Sequence, residues 1–463
     1  MKHRQKLLLA GTVVGLLVGV LALIAAGGPF VLAQGDIIYV DADADPGGDG
    51  TSWVTAYTDL QSALDIAVEG KQIWVAAGTY KPSVEHGGSG DRYWSFQMAN
   101  GVALYGGFDP SAGDDAWEER DWAANPTILS GDIGTEGDPA DNAYHVFYHP
   151  AGASLDGTAV LDGFAITGGN ANGAAPHNQG GGMHNFSSSP TLSNCTFTGN
   201  SAGFGGGLSN RYSSPALTNV TFADNSAATT GGGIYNEDSA PTLTNCTFEG
   251  NSAVDAGGMS NNSSSPVLTN CVFLGNWADQ GGGLHNYNSS PELADCTFAG
   301  NSADWGGGMY NYDGSSPTLT NCTFTGNSAT SGGAGIFNWL NASPTVTNCI
   351  LWGDTAGEPP SEIVNHEETS TPDISYSDIQ GGCESDPWND CGEGNIDADP
   401  LFADPSSGDL HLGPGSPCVD AGTNGAPALP QYDLEGDPRI LDGDGNGEPV
   451  VDMGVDEVWG PPP

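Results

Sequence analysis

The chain has 463 residues, of which 71 are glycine and 30 are proline, yet hydrophobic residues still make up 38% of it. That apolar content is too high for a disordered linker. Only 9 Lys and Arg residues stand against 57 Asp and Glu residues, which gives a net charge of −48. Such a charge excludes nucleic acid and anionic membranes as partners, because phosphate recognition needs clustered basic side chains. It favours cations, Ca²⁺ in particular.

The first residues are typical of an export signal. Residues 2–6 are mostly basic, residues 7–26 are apolar, and Ala33 precedes a cleavage site at Gln34. The apolar run is also long enough to stay in a membrane as an anchor. We expect residues 1–33 to be a signal peptide and the remaining chain to be extracellular or on the cell surface.

A repeat of 25 to 27 residues dominates the middle of the chain. Each unit reads approximately GGGhxN, then a polar turn, then SPxLTNCTFxGNSA, and the proline marks its phase. Glycine and asparagine oppose helix, whereas the apolar alternation has the period of two that is typical of strands. The phase-marking prolines are Pro190, Pro215, Pro241, Pro266, Pro291, Pro317 and Pro344.

Three apolar columns run through these units, and they begin at Met183, at Leu192 and at Cys195 with Phe197. Three columns indicate three short strands per turn of a coil, each paired in parallel with its equivalent one turn away at about 4.8 Å. Three asparagine columns begin at Asn185, Asn194 and Asn200. We expect them to form ladders at the turns, because stacked amides hydrogen-bond to one another and asparagine tolerates left-handed backbone.

The alternating motifs resemble the repeats of polymorphic outer membrane proteins, which pair GGxh with FxxN. Here these are the Gly206-Gly207-Leu208 and Phe197-Thr198-Gly199-Asn200 classes, and the resemblance covers about 160 to 353. It implies an all-β fold, a right-handed parallel β-helix at a cell surface, often in an adhesin. Those proteins end in a membrane β-barrel. In this sequence, no run of alternating strands of the length needed for a barrel precedes Trp459–Pro463, so we expect no C-terminal barrel.

The two ends differ from the repeats. Residues 59–68 have one apolar helical face ended by Gly70, which predicts a helix that caps the first turn. With the short strands and the expected turn Gly78-Thr79-Tyr80 that follow, this end is similar to pectate-lyase-like, or pectin-lyase-like, β-helix proteins. Residues 394–402, 413–422 and 451–457 resemble the C-terminal module of choice-of-anchor Q proteins. The predicted divisions are 34–158 for the N-terminal cap and irregular turns, 159–356 for the repeats and 357–463 for the C-terminal module.

Six of the nine cysteines occupy one inward column, beginning at Cys195. We expect them to be buried free thiols, because residues stacked one turn apart do not meet the geometry of an unstrained disulfide. Cys383 and Cys391 lie outside that column and are the disulfide candidates.

Two acidic segments have the spacing of calcium ligands. Residues 442–447 match the first six positions of an EF-hand loop, and an acidic residue lies one place before the position where that motif needs its last ligand. The candidate ligands are Asp442, Asp444, Asn446 and Asp452. Residues 41–45 have similar spacing, but Pro46 stands where glycine belongs. The alternative interpretation of both segments is a solvated turn.

An outward stripe becomes aromatic in the last three units of the repeat. Stacked exposed rings bordered by polar side chains suit sugars, which have flat apolar faces and polar edges. The alternative is that these rings only cover turns. The candidate ligand-binding stripe is Tyr235, His285, Tyr287, Tyr310, Tyr312, Phe337 and Trp339.

No catalytic residue emerges from the sequence. A polyuronate lyase needs a basic side chain to take a proton, and Arg211 is the one Lys or Arg between residues 151 and 380. The residues favour a non-catalytic, adhesin-like protein that binds a glycan or a partner cell surface. Two alternatives stay open: an enzyme that degrades a neutral polysaccharide with an unidentified carboxylate pair, and a structural envelope protein.

Overall fold

The computed structural model describes residues 37–113, 116–357, 362–405 and 408–458. The predicted signal peptide, residues 1–33, lies outside the described residues.

Three parallel sheets form the walls of one coil in the described part of the chain. The first sheet contains Ile37–Val40, Gln72–Ala76, Ala103–Phe108, Val160–Asp162, Thr191–Ser193, Ala216–Thr218, Thr242–Thr244, Val267–Thr269, Glu292–Ala294, Thr318–Thr320, Thr345–Thr347, Asp373–Ser375 and Asp390–Cys391. The second sheet contains Gly78–Tyr80, Thr127–Ser130, Phe164–Thr167, Thr196–Thr198, Thr221–Ala223, Thr247–Glu249, Val272–Leu274, Thr297–Ala299, Thr323–Thr325, Ile350–Leu351 and Asp378–Ile379. The third sheet contains Phe147–His149, Met183–Phe186, Leu208–Arg211, Ile234–Glu237, Met259–Asn262, Leu284–Tyr287, Met309–Tyr312, Ile336–Trp339 and Ile363–Asn365.

Every strand of these three sheets pairs with the equivalent strand of the next turn, in register. Leu217 of the first sheet lies opposite Leu192 on one side and Leu243 on the other. The phenylalanine rings of the second sheet stack in the same way. The centroids of Phe248 and Phe273 lie 4.6 Å apart, and the two ring planes are nearly parallel. The apolar columns are therefore the core, and the predicted all-β parallel coil is confirmed.

Some turns have a fourth short strand that the pattern of three columns did not predict. It occurs just before the glycine run in two places, where it forms two small parallel sheets. These strands are Asn170–Ala171, Ser201–Phe204 and Ser226–Thr230 in one sheet, and Ser302–Trp305, Ser328–Gly332 and Thr355–Ala356 in the other. Gly78–Tyr80, expected as a turn, is likewise a strand of the second sheet. The residues before each glycine run thus form a further wall beside the third sheet.

The predicted capping helix is present as Leu60–Ile66. Its first turn is capped by Asp59, whose Oδ1 accepts a hydrogen bond from the backbone N–H of Ser62 at 2.8 Å. Leu60 and Ala63 pack into the core at the open end of the first turn. Short 3-10 turns lie at Trp53–Thr55, Asp91–Tyr93, Trp117–Glu119 and Cys383–Ser385. No helix among the described residues is long and apolar enough to cross a membrane.

The asparagine column that begins at Asn194 lies at a turn, as predicted. Its members have φ between 51° and 55°, the left-handed conformation that asparagine tolerates. The Nδ2 groups of Asn219, Asn245 and Asn348 each donate to Oδ1 of the preceding asparagine, as from Asn219 to Asn194 at 3.1 Å. The ladder ends on the carboxylate of Asp162, which Arg120 holds at 2.6 Å.

The columns that begin at Asn200 and Asn185 are both buried. The first lies at a bend between two strands, as expected, whereas the second lies within the strands of the third sheet, so the expectation that it lies at a turn is wrong. In the Asn200 column, the backbone N–H and Nδ2 of each residue both donate to Oδ1 of the next, as from Asn251 to Asn276 at 3.0 Å. The column ends at Asp354, which accepts from Asn327. Each buried amide is therefore satisfied by its copy one turn away.

The Asn185 column alternates with the apolar residues of the third sheet and faces the interior. His149 Nδ1 donates to Asn185 Oδ1 at 2.7 Å, and the chain of amides then runs in one direction to Asn365 and Asn389. Buried polar residues are placed in the strand interior here because the next turn supplies an identical partner at the required distance.

The column cysteines are buried and carry free thiols, as predicted, and Cys418 is also buried and free. Cys383 and Cys391 form a disulfide.

Strands of the coil continue to Asp390–Cys391, inside the predicted C-terminal module. The antiparallel pair Phe402–Asp404 and Asp409–Leu412 then begins the part of that module that folds back along the coil. Asp295 replaces asparagine in the turn ladder, and its carboxylate pairs with the fully buried guanidinium of Arg439. The next ladder residue, Asn321, donates to the carbonyls of Asp452 and Gly454 at 2.9 and 3.1 Å. The module therefore lies against the side of several turns as well as over the end of the coil.

We expect Asn251→Ala to lower the free energy of unfolding by about 2–4 kcal/mol, because the N–H and amide of Asn225 and the carbonyl of Phe222 lose their buried partner. Asn245→Gly is the matched control: the residue is exposed, and glycine adopts its φ of 55° freely. Urea unfolding of both variants would measure the difference. Equal losses in the two variants would contradict the buried ladder.

Burial raises the pKa of Asp452 to about 7 and that of Glu457 to about 9 in the C-terminal module. Both carboxyls therefore hold protons in the folded protein that the unfolded chain releases near pH 4. Their stabilising effect is complete below that pH and is lost as pH rises through the folded values. We expect the free energy of unfolding, measured in EDTA, to fall between pH 5 and pH 9, and to fall less steeply in Asp452→Asn. A rise over that range would contradict the burial of these acids.

Candidate functional site

The third sheet presents two columns of side chains away from the core, and both belong to the predicted stripe. The inner column lies next to the glycine corner, and the outer column lies two residues further along each strand. Tyr235, His285, Tyr310 and Phe337 belong to the inner column, and Tyr287, Tyr312 and Trp339 belong to the outer column.

A sharp corner lies before each strand of the third sheet. Gly281 has φ +65°, and a Cβ at that position would lie 2.5 Å from the carbonyl oxygen of Leu284. The corner brings the residues that precede it against the outer face of the sheet. Phe204 packs on Tyr235 with centroids 5.5 Å apart, and Trp305 packs on Phe337 at 5.0 Å.

The inner column is therefore covered, and its prediction as exposed ligand-binding surface is wrong for three residues. Tyr235 is 6% exposed, and Tyr310 and Phe337 are each 2% exposed. His285 is partly buried, and burial lowers its pKa to about 4, so it is neutral at pH 7. These rings form the floor that supports the outer column.

The outer column is accessible. The ring of Tyr287, 40% exposed, stacks on that of Tyr312 at 5.5 Å with an interplanar angle of 26°. Trp339 follows one turn later at 5.4 Å from Tyr312, and His366 continues the row at 4.9 Å from Trp339. We call Tyr287, Tyr312 and Trp339 the aromatic row.

Two contributors to this surface were missed in the sequence. Trp305 precedes a glycine run, and its column was not recognised as a wall because the fourth strand was not predicted. His366 lies beyond the last regular unit, where the repeat spacing no longer places it. The one sequence signal for this wall was that Phe204 and Trp305 occupy equivalent positions, each directly before a glycine run.

The surroundings of the aromatic row are poor in positive charge. Arg211 lies in the outer column three strands before Tyr287, and Glu237 pairs with its Nε at 3.2 Å. Asp313 follows Tyr312 directly and is exposed. The charges around the row, within the part of the chain that the structure describes, would thus suit an uncharged or positively charged ligand better than an anionic one.

The acidic loop at 442–447 keeps two of its four predicted ligands together. Carboxylate oxygens of Asp442, Asp444 and Asp420 lie within 4.8 Å of one another. Asp420 was missed because 22 residues separate it from Asp442 in the sequence.

The structure does not bring the other two predicted ligands into that group. Asp452 is buried, and its two oxygens accept hydrogen bonds from the backbone N–H groups of Asp420 and Val458 at 2.6 and 2.7 Å. Asn446 Nδ2 donates to Asp444 Oδ2, and Asn446 Oδ1 accepts from the N–H of Glu448. Both residues build the loop around the three carboxylates.

The coil resembles known proteins in fold. A family model described as a right handed beta helix region matches residues 146–258 and 183–351. The solved structure of pectate lyase Pel9A is similar at 12% identity and a TM-score of 0.50, covering 91% of this chain and 96% of the lyase. A rhamnogalacturonan lyase is similar at 11% identity and a TM-score of 0.41, covering 74% of this chain and 87% of the other. No curated protein sequence matches the chain.

The family model and the pectate lyase agree with the sheet topology. The described chain is an all-β, right-handed parallel β-helix with a pectate-lyase-like fold.

Proposed function

We propose that the protein is an exported, non-catalytic β-helix that binds a neutral glycan at the aromatic row. One observation supports this above the others: three aromatic rings on successive turns stand 5.4 to 5.5 Å apart, with Tyr287 exposed and Tyr312 and Trp339 partly exposed, and Trp339 meets Tyr312 edge-on at 66°. Flat rings at a regular spacing suit successive sugar rings of one chain, whose apolar faces stack on aromatic side chains.

The rigidity of the support favours this proposal. The inner column and Trp305 are packed beneath the row, and Tyr310 stacks on Phe337 with an interplanar angle of 4°. A ligand therefore meets rings that are already ordered, which reduces the entropy lost on binding.

Charge favours a neutral ligand over a uronate. The acidic chain repels a polyanion, the guanidinium of Arg211 is paired with Glu237, and His285 is uncharged at pH 7. Among the described residues, His366 is the exposed imidazole at the end of the row, and no lysine or arginine accompanies it there, which is why a binding role is proposed and not a lyase.

The export signal and the resemblance to polymorphic outer membrane protein repeats and to choice-of-anchor Q modules support a location outside the cytoplasm. An adhesin-like role at a cell surface follows from that location together with a long, regular binding face. A partner surface rich in neutral glycans is the expected target.

The loop carboxylates of Asp420, Asp442 and Asp444 support a second proposal, that the C-terminal module binds Ca²⁺. Hard oxygen ligands from a short loop and one distant residue are typical of calcium sites.

Calorimetry with a panel of neutral hexasaccharides tests the aromatic row. We expect Tyr312→Ala and Trp339→Ala each to weaken binding roughly tenfold. This corresponds to a loss of about 1.4 kcal/mol of binding free energy, the magnitude expected when one ring stack is removed. Trp277→Ala is the matched control, because Trp277 is 53% exposed outside the third sheet.

Three results would contradict the proposed function. An equal loss in Trp277→Ala would show that the row is not the site. Release of reducing ends or unsaturated products from any glycan would favour the degrading enzyme, and the absence of binding across the panel would favour a structural envelope protein.

Calcium titration of chelator-treated protein tests the loop. We expect one Ca²⁺ per chain and a raised Tm, with both effects lost in Asp444→Asn, which removes one loop carboxylate. Asp238→Asn, an acidic turn residue on the repeats, is the control and should bind as the parent does. Unchanged binding in Asp444→Asn would identify the segment as a solvated turn.

A further inference from the structure

A histidine pair lies far from the aromatic row, where the N-terminal turns meet the first regular unit. His145 Nε2 and His177 Nδ1 face each other at 3.0 Å, and both residues are buried. Neither has a role in the proposed function.

The outer nitrogen of each ring contacts a backbone carbonyl. His145 Nδ1 lies 2.9 Å from the oxygen of Gly180, and His177 Nε2 lies 3.2 Å from the oxygen of Gly87. A carbonyl oxygen only accepts, so each of these outer nitrogens carries a hydrogen. In two neutral imidazoles the facing nitrogens then both carry lone pairs.

Two lone pairs at 3.0 Å repel unless a cation lies between them. A proton shared by the two rings is one such cation, and a metal ion is another. The surroundings are the rings of Tyr93, Tyr144 and Tyr148, and Arg92 lies over Tyr144 at 4.1 Å. Neutral rings and a nearby guanidinium do not favour an additional proton.

A metal ion fits the same arrangement. Two imidazole nitrogens on a tetrahedral ion, each about 2.0–2.1 Å from it, stand about 3.3 Å apart, close to the observed separation. Histidine ligands also characteristically donate their other N–H to a backbone carbonyl, which fixes the tautomer. Both members of the pair do so.

A third imidazole stands beside the pair. His184 is 1% exposed, and its Nδ1 makes no hydrogen bond among the described residues. Its ring lies 5.7 Å from that of His145 and stacks on Tyr148 at 5.6 Å. The nitrogens of the three rings do not all lie within 4.8 Å of one another, so the pair itself is the metal-binding unit.

We propose that His145 and His177 bind one transition-metal ion of the Zn²⁺ class. Imidazole nitrogen is a ligand for Zn²⁺, Ni²⁺ and Cu²⁺, whereas Ca²⁺ takes oxygen. This site is distinct from the carboxylate loop in both position and chemistry.

The ion would join three segments that are distant in sequence. His145 precedes the first strand of the third sheet, Gly87 lies in the N-terminal region, and His177 lies in the loop that leads into the first glycine run. That loop also forms one wall of a cleft of about 570 Å³, through Asn172, Gly173 and Asn178. Metal binding would therefore order the wall of this cleft.

Zinc calorimetry on the chelator-treated chain without its signal tests the proposal. His411 lies close to Glu435 and Asp456 and could bind zinc independently, so every titration uses a His411→Ala background. We expect one Zn²⁺ per chain at micromolar affinity or better, a raised Tm, and no competition from millimolar Ca²⁺.

Substitutions at His177 separate binding from folding. His177→Gln keeps an N–H donor for the Gly87 carbonyl but removes the facing nitrogen, and we expect it to bind Zn²⁺ at least tenfold more weakly with an unchanged circular dichroism spectrum. His145→Ala should show the same loss, whereas His366→Ala, next to the aromatic row, should bind zinc as the background does.

Three results would overturn the metal site: no zinc binding by the parent, equal binding by His177→Gln, or equal losses in His366→Ala. Nitrogen-15 NMR of the metal-free protein gives a direct check. An imidazolium signal for the pair at pH 7 would show that the two rings share a proton, and the proposal would then fail.

Discussion

In-register pairing between equivalent strands of successive turns is the constraint on which the whole molecule depends. It places each side chain directly over its copy, so every position in the repeat is selected for its ability to stack on itself. Leucine, phenylalanine and cysteine satisfy this condition through apolar contact. Asparagine satisfies it through amide hydrogen bonds, which explains how a coil with so many polar residues closes a continuous core.

In-register pairing also determines which features of the structure can be predicted from the sequence. The apolar columns, the left-handed turn at Asn194, the free thiols and the capping helix all follow from local alternation and spacing, and the structure agrees with each. The regular period makes these positions equivalent, so one correct assignment extends to every unit. The disulfide between Cys383 and Cys391 could be predicted because both residues lie outside the thiol column and only 8 positions apart.

The errors arise where side chains meet across the corner or across the chain. Tyr310 points away from the core, as the alternation indicates, but Trp305 and its neighbours cover that face, and no local pattern encodes this contact. Asp420 reaches the acidic loop, and Arg439 reaches Asp295, through the folding back of the C-terminal module. His145 and His177 come from irregular segments without a motif, so only the tertiary structure brings their rings together.

The asparagine ladders have a direction. The two buried ladders donate without a break toward the C-terminal end and finish at Asp354 and at the carbonyl of Cys383. The turn ladder donates toward Asp162 at its N-terminal end and is interrupted where Asp295 pairs with Arg439. Any unit inside a buried ladder receives and gives the same bonds, whatever its position. Whole repeats can therefore be gained or lost by duplication and deletion during evolution while the terminating groups stay intact, so the length of the coil is free to vary although the conformation of each unit is not.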